Sequence, residues 1–204
     1  MSNTLTKIDL YTALENRRSI YAISKDHVAS DERIQEVVEF MVKHVPTAFN
    51  SQTGRVVILL GEQHDKLWDL TTETLRGVVP ADSFAPTQEK MDMFKAGYGT
   101  ILFFEDQSIV RGLQEQFALY ADNFPVWSEQ ASGMLQLAVW TGLEAEGFGA
   151  TLQHYNPLID DKVASEWDVP ADWKLIGQMP FGKPAAPAGD KEFSPLENRV
   201  KIYK

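Results

Sequence analysis

The sequence predicts a single α+β domain spanning residues 1–204, and three observations support this fold class. The length is sufficient for one sizeable hydrophobic core and does not require a second domain. Stretches with apolar residues at a helical period are interspersed with short apolar runs of strand length. Between Ala131 and Leu143 there is no charged residue, so the helix predicted there must be buried on all sides.

This central helix, predicted over 128–144, needs a covering made of protein. Its uncharged part is too short to cross a bilayer, which requires about 20 apolar residues. Small residues at Ser132, Gly133, Ala138 and Gly142 would allow another backbone to approach closely. Two coverings remain open, namely the core of one chain or a second copy in a dimer.

Helical spacing and helix-ending residues predict the N-terminal elements. The first helix ends at Arg17, and a second begins near Ser30, because a short polar side chain followed by acidic residues suits a helix N-terminus. The second helix stops before Pro46, which cannot continue it. The elements predicted before residue 100 are helices over 8–16, 30–45, 67–75 and around 91–94, and a strand over 55–60. The region 62–96 forms either a lid over a pocket or plain surface.

In the C-terminal half, the near-continuous apolar run 100–105 is typical of a strand at the centre of a sheet. Gly97 and Gly99 precede it, but a dinucleotide-binding loop needs a third glycine and a following helix, which excludes a Rossmann site. Proline, glycine and alanine predict an extended tail over 180–195. The other predicted elements are helices over 109–120, 128–144 (after an interruption at Pro125) and 159–167, and strands over 149–153, 173–179 and 198–203.

Composition excludes several classes of function. The net charge of -10 argues against a nucleic acid or an anionic membrane surface as the partner, because both attract lysine and arginine. The absence of cysteine excludes disulfides, thiol redox chemistry and cysteine-ligated metals. The first ten residues contain no apolar run of signal-peptide length, so we expect a cytoplasmic protein with a small-molecule ligand.

The sequence shows no evident set of side chains that would act together in catalysis. The four histidines lack the spacing of metal ligands, and neither a nucleophile elbow nor a Walker loop occurs. Asp160 and Asp161 are adjacent on a predicted helix and therefore point about 100° apart, which argues against a carboxylate pair. Any redox chemistry would require a bound cofactor.

Two groups of residues suggest ligand binding. Arg17, Arg18 and Ser19 could hold a phosphate, although basic residues also complement the end of a helix. Asn50 and Gln52 each offer a donor and an acceptor, as a heterocycle with C=O and N–H groups requires, although such residues are also common in turns. Together they favour a protein that binds a phosphorylated heterocycle.

Five motifs, taken in order along the chain, suggest a family. They are Glu15–Tyr21 (ENRRSIY), Pro46–Arg55 (PTAFNSQTGR), Phe103–Gln107 (FFEDQ), Phe117–Gln130 (FALYADNFPVWSEQ) and Leu152–Pro157 (LQHYNP). With these motifs the chain resembles the FMN-dependent nitroreductase family. The likeness is to its short branch, related to fatty-acid-repression proteins and copper-induced bacterial nitroreductases.

The resemblance implies a fold, an assembly and a set of cofactor-binding residues. The fold is an antiparallel central sheet flanked by helices, in an intertwined homodimer whose interface is the long buried central helix. FMN would lie between the subunits. By this resemblance, Arg17, Arg18, Ser19 and Arg199 bind its phosphate and ribityl chain, Thr47, Asn50 and Gln52 approach the flavin from the partner subunit, and Leu152, Gln153 and His154 lie along the ring.

The activity that the resemblance implies is the transfer of two electrons from NAD(P)H, through the flavin, to an electron-poor acceptor such as a nitroaromatic compound or a quinone. Phe104, Trp127 and Tyr155 are candidates for the acceptor site, although each could instead be a core aromatic residue. No side-chain general acid and no metal are required. The alternative is a flavin-binding regulatory or lipid-responsive protein with little turnover.

Overall fold

A computed structural model of the protein describes residues 9–204. The helices are α1 (Leu10–Asn16), α2 (Asp31–His44), α3 (Glu62–Arg76), α4 (Ala85–Lys95), α5 (Gln107–Gln116), α6 (Asn123–Ala145) and α7 (Asp160–Glu166). The strands are β1 (Ile23–Ser24), β2 (Gly54–Leu60), β3 (Gly99–Asp106), β4 (Gly149–Ala150) and β5 (Trp173–Pro184). Short 3-10 turns occur at Ala48–Asn50, Ala81–Ser83, Ala118–Tyr120 and Leu196–Asn198. Ile8, where the first helix was predicted to begin, lies outside the described residues.

The strands form one antiparallel sheet in the order β1-β5-β3-β2, with β4 also paired to β5. Every residue of β3 is buried, as its apolar run predicted, and the strand is paired along both sides. In the described part of the chain β2 pairs on one side only and is therefore an edge strand. The predicted fold, an antiparallel sheet flanked by helices, is confirmed.

Two core clusters lie on opposite faces of this sheet. Because side chains alternate along a strand, Leu102 and Phe104 of β3 enter one cluster and Ile101 and Phe103 enter the other. The first cluster is formed mainly by α3, α4 and the region of α7, and the second mainly by α2 and α6. α3 and α4 contribute buried Trp68, Met91 and Phe94 and so form a layer of the core.

A buried polar network joins α3 to β3. The indole N–H of Trp68 donates to Thr100 Oγ1 (3.0 Å), and His64 Nε2 lies 3.2 Å from the carbonyl oxygen of Lys95. A carbonyl only accepts, so Nε2 carries the imidazole proton and Nδ1 accepts from the Thr100 hydroxyl at 2.8 Å. His64 is fully buried and uncharged in this arrangement, because burial lowers its pKa from 6.5 to about 4.

Three predicted boundaries were wrong for reasons of packing. Pro125 does not interrupt the central helix, because it lies in the first turn of α6, where backbone N–H groups have no acceptor within the helix. The strand predicted over 149–153 is reduced to β4, followed by an isolated bridge at Gln153. The strand predicted over 173–179 continues to Pro184, because β4 and β1 pair with its second half.

Two further predicted elements also differ from the structure. The helix predicted over 109–120 ends at Gln116 and is followed by the 3-10 turn at Ala118–Tyr120. The segment 198–203 alternates like a strand, yet it is exposed and forms no strand. A strand requires a neighbour for its backbone hydrogen bonds, and residues 9–204 provide none for this segment.

The central helix α6 is not buried on all sides within one chain. Its residues Ala131, Leu135, Val139 and Leu143 pack in or against the core, but 44% of Met134 and 46% of Leu137 are exposed. These two residues line an apolar groove of about 330 Å³, which we call the α6 groove, together with Leu10, Leu14, Met41, Ala138 and Thr141. None of the helices formed by residues 9–204 is both long and apolar enough to span a bilayer.

Candidate functional site

The dibasic segment follows α1 and is anchored on both sides. The guanidinium of Arg17 lies over the ring of Trp140 in α6, 4.4 Å from its centroid. Burial raises the pKa of Glu144, one turn further along α6, and the charge of Arg17 opposes that rise. Arg18 Nη2 donates to the carbonyl oxygen of Gly189 at 2.6 Å, which ties the segment to the C-terminal tail. Both predicted arginines are therefore half-buried and held in place.

Ser19 brings the dibasic segment to β4, where it meets the segment 152–154. Ser19 forms a parallel bridge with Ala150, and the following residue Ile20 donates its N–H to Ala150 O at 2.9 Å. Leu152 is half-buried, Gln153 is buried and His154 is exposed. The structure therefore brings two of the predicted cofactor-binding groups next to the same short strand.

Gln178 of β5 fixes the conformation of the segment 152–155. Gln153 and Gln178 exchange backbone hydrogen bonds of 2.7 and 2.9 Å, and the side-chain Oε1 of Gln178 accepts the N–H of Tyr155 at 2.7 Å. The Gln153 side chain donates to Thr151 Oγ1 at 3.0 Å. Gln178 was not predicted as a site residue, although an amide within the mainly apolar run 175–181 could have indicated a buried hydrogen-bonding role.

The third predicted group lies on a tight turn between α2 and β2, residues 47–52, which we call the amide turn. Phe49, Asn50 and Gln52 have φ values of 57°, 50° and 48°. This left-handed conformation costs an L-residue roughly 1–2 kcal/mol. Two hydrogen bonds to Thr47 partly offset the cost, because its carbonyl oxygen accepts from Asn50 N (3.0 Å) and its Oγ1 accepts from Gln52 N (2.9 Å).

Arg55 fastens the end of the amide turn to the sheet. Its Nη1 donates to the carbonyl oxygen of Gln52 at 2.7 Å, and its Nη2 pairs with Asp106 at 2.9 Å. The side-chain amides of Asn50 and Gln52 make no hydrogen bond within residues 9–204, and both residues are exposed. A strained turn thus presents two free amide groups, and non-glycine residues in such conformations cluster at functional sites.

A small cavity of about 120 Å³ lies beneath the amide turn and is lined by Thr47, Gln52 and Glu105 among others. Glu105 is buried, and its Oε2 accepts from Ser128 Oγ at 2.6 Å, while its Oε1 has no hydrogen-bond partner within residues 9–204. Burial raises the pKa of Glu105, and the hydrogen bond from Ser128 opposes the rise. Glu105 was not predicted as a site residue, although a carboxylate inside the apolar run 100–105 could have indicated one.

The three aromatic candidates for the acceptor site lie in different surroundings. Phe104 is only 2% exposed and packs in the core, 6.0 Å from the ring of Trp173. Tyr155 packs at the border of the same core cluster, and burial raises its pKa to about 12. Trp127 lies in α6, where its ring stacks with that of Phe49 of the amide turn at 5.9 Å.

Arg199 is the one predicted cofactor-binding residue in the exposed C-terminal segment. Its side chain makes no hydrogen bond or ion pair with residues 9–204. In the described part of the chain, two cavities of about 120 and 850 Å³ are lined by Thr47 or Gln52, and Arg17, Arg18 and Ser19 line neither of them. Among residues 9–204, no group of three or more histidine or acidic side chains is placed to hold a metal ion.

Comparison with known proteins identifies the family. The family model of the nitroreductase family matches residues 14–183, which is most of the chain. This chain belongs to the nitroreductase family. The family consists in general of flavin-dependent oxidoreductases, in agreement with the class of activity that the five motifs implied.

Several nitroreductases are similar over their whole length. The yeast nitroreductase homologue HBN1 of Saccharomyces cerevisiae is 38% identical, with 100% of both chains covered. CinD of Lactococcus lactis, a nitroreductase, is 50–51% identical in three solved structures that cover 96% of this chain and 100% of CinD. Those structures contain chloramphenicol (TM-score 0.89), nicotinic acid (0.87) and 4-nitrophenol (0.88).

A more distant nitroreductase homologue, from Desulfovibrio desulfuricans, was solved in complex with FMN. It is 18% identical, with 100% of this chain and 99% of that chain covered and a TM-score of 0.67. At this identity the likeness shows the nitroreductase fold alone.

Proposed function

We propose that the protein is an FMN-dependent oxidoreductase that transfers two electrons from NAD(P)H to nitroaromatic compounds, quinones or related electron-poor acceptors. The observation that carries the proposal is the amide turn, in which a nitroreductase-family chain holds Asn50 and Gln52 in a strained conformation with both amides free. Such amides can satisfy the alternating C=O and N–H groups of a flavin edge.

The other predicted groups suit the remaining parts of FMN. Arg18 and Ser19 offer charged and hydroxyl donors for a phosphate. The segment 152–154 is held by hydrogen bonds to Gln178 and can support the flavin ring. A bound FMN would supply the redox chemistry, while the chain's residues bind and orient it and exclude water.

The functional unit in this proposal is a homodimer. Within residues 9–204, neither of the two cavities beside the amide turn is lined by the segment Arg17–Ser19, so a second copy would complete the site. Two surfaces support this assembly, namely the exposed apolar α6 groove and the C-terminal segment with its exposed side chains Leu196, Val200 and Ile202. Exposed apolar surface of this kind marks interaction sites.

The complexes of CinD support the substrate classes. CinD binds 4-nitrophenol, a nitroaromatic compound, and nicotinic acid, which shares its pyridine ring with nicotinamide. At 50–51% identity over nearly the whole chain, we extend these two classes to this protein as acceptor and donor. Trp127, beside the amide turn, and Tyr155 are the aromatic residues that we propose for the acceptor site.

Anaerobic reduction tests the proposal directly. We expect the purified protein to be yellow, to be bleached by NADH or NADPH, and to regain its colour when a nitroaromatic compound or quinone is added. Protein that stays colourless after incubation with FMN would contradict the proposal. A yellow protein that neither nicotinamide bleaches would favour the regulatory alternative.

A further inference from the structure

Phe49 adopts a conformation that is costly for its residue type. Its φ of 57° lies in the left-handed region, which glycine and asparagine adopt readily and which a bulky side chain rarely adopts. In the single chain 52% of its surface is exposed, so burial within the chain does not by itself account for a phenylalanine at this position. An outlier of this kind persists only where the surrounding structure holds it.

The ring of Phe49 contacts four aromatic side chains, and we call the five residues the Phe49 cluster. The ring centroids lie 5.0 Å from Phe117, 5.3 Å from Phe124, 5.9 Å from Trp127 and 6.2 Å from Tyr120. All four separations fall within the range of favourable aromatic pairs. The partners belong to the end of α5, the following 3-10 turn and the first turns of α6, so the ring is held from three elements.

We propose that Phe49 is a positioning residue of the amide turn. The cluster packs around the ring of Phe49 and thereby fixes the backbone that carries the free amides of Asn50 and Gln52. Arg55 holds the other end of the same turn through the carbonyl oxygen of Gln52. In this arrangement the side chain of Phe49 acts through the backbone, and the strain that it maintains preorganises the turn for its ligand.

The proposal rests on the proposed function, because it takes FMN as the ligand of the amide turn. Two substitutions separate an action through the backbone from a direct contact of the ring. Phe49→Ala removes the ring and retains a Cβ, which disfavours positive φ, whereas Phe49→Gly removes the ring and makes positive φ inexpensive. Leu119→Ala is the matched control, since it removes an 87% exposed apolar side chain from the adjacent 3-10 turn, outside the cluster.

Titration of the FMN-free protein with FMN, followed by flavin fluorescence, gives the first readout. We expect Phe49→Ala to raise the Kd about tenfold, which corresponds to about 1.4 kcal/mol. Phe49→Gly should recover affinity to within about threefold of wild type, and Leu119→Ala should leave it unchanged. Wild-type affinity in Phe49→Ala, or a glycine variant that binds no better than the alanine variant, would overturn the proposal.

Amide hydrogen exchange of the FMN-free protein gives a second readout that needs no ligand. The N–H groups of Asn50, Ser51 and Gln52 are hydrogen-bonded within the turn. We expect Phe49→Ala to reduce their protection about tenfold and Phe49→Gly to restore part of it. Equal protection in wild type and Phe49→Ala would refute the positioning role of Phe49. A wild-type protein that binds no FMN would instead refute the proposed function, and exchange would still decide the role of Phe49.

Discussion

Mild acid should destabilise the protein through His64, the buried histidine that joins α3 to β3. In the neutral imidazole, Nδ1 accepts a hydrogen bond from the hydroxyl of Thr100. Protonation would place an N–H on this nitrogen. The hydroxyl would have to turn away while its oxygen accepts from both Trp68 and His64, inside an apolar core. A positive charge there has no acidic partner within hydrogen-bonding distance among residues 9–204, so the native state resists protonation.

The pKa of His64 gives the size and the direction of the change in stability with pH. Burial lowers it from 6.5 to about 4, so between these values the unfolded chain binds a proton that the native chain does not. The stabilising contribution is therefore fully present above pH 6.5 and is lost as the pH falls towards 4. Between pH 7.5 and 5.5 this linkage predicts a loss of about 1.3 kcal/mol in the free energy of unfolding.

Urea unfolding at pH 7.5 and 5.5, at one protein concentration and one flavin content, measures this loss. His64→Gln keeps a neutral donor and acceptor near Thr100 and Lys95 but cannot titrate in this range. It should lose about 1.3 kcal/mol less than wild type over the same interval. His44→Gln, which changes an exposed histidine of α2, should behave like wild type. Equal pH dependence in wild type and His64→Gln would show that His64 is not the source of the acid sensitivity.

Two glycine substitutions test the packing of α6 and α5, and one charge insertion tests the α6 groove. In Gly142→Ala the new Cβ would lie 2.8 Å from Met41 Cε and 2.9 Å from Val37 Cγ1, so we expect overpacking to cost about 1–3 kcal/mol, partly offset by helix propensity. Gly112→Ala in α5 meets no atom within 4 Å and should stabilise by about 0.5–1 kcal/mol; thermal unfolding distinguishes the two signs. Leu137→Glu places a charge in the α6 groove and should yield a monomer that has lost FMN, as measured by light scattering and absorbance. A dimer that keeps its flavin would contradict the assignment of this groove to the interface.

Much of the fold could be predicted because it depends on local pattern. The Ser30 side chain accepts from Arg33 N at 3.2 Å, as the cap pattern at the start of α2 indicated. The apolar run 100–105 identified the central strand, because only a strand covered on both faces tolerates such continuity. The five motifs identified the family, and the family implies an antiparallel sheet. Hydrophobic periodicity alone does not specify the order of the strands in that sheet.

The main helices, the central strand and the family therefore follow from the order of amino acids alone. The length of β5 depends instead on tertiary contacts, since its second half pairs with β1 and β4. The tertiary structure also decided that Gln178 fixes the segment 152–155, and that Phe49 is held at positive φ by aromatic rings from other elements. The physical reason is that helix periodicity and capping depend on residues within a few positions, whereas strand pairing, buried hydrogen bonds and strained turns depend on groups that only folding brings together.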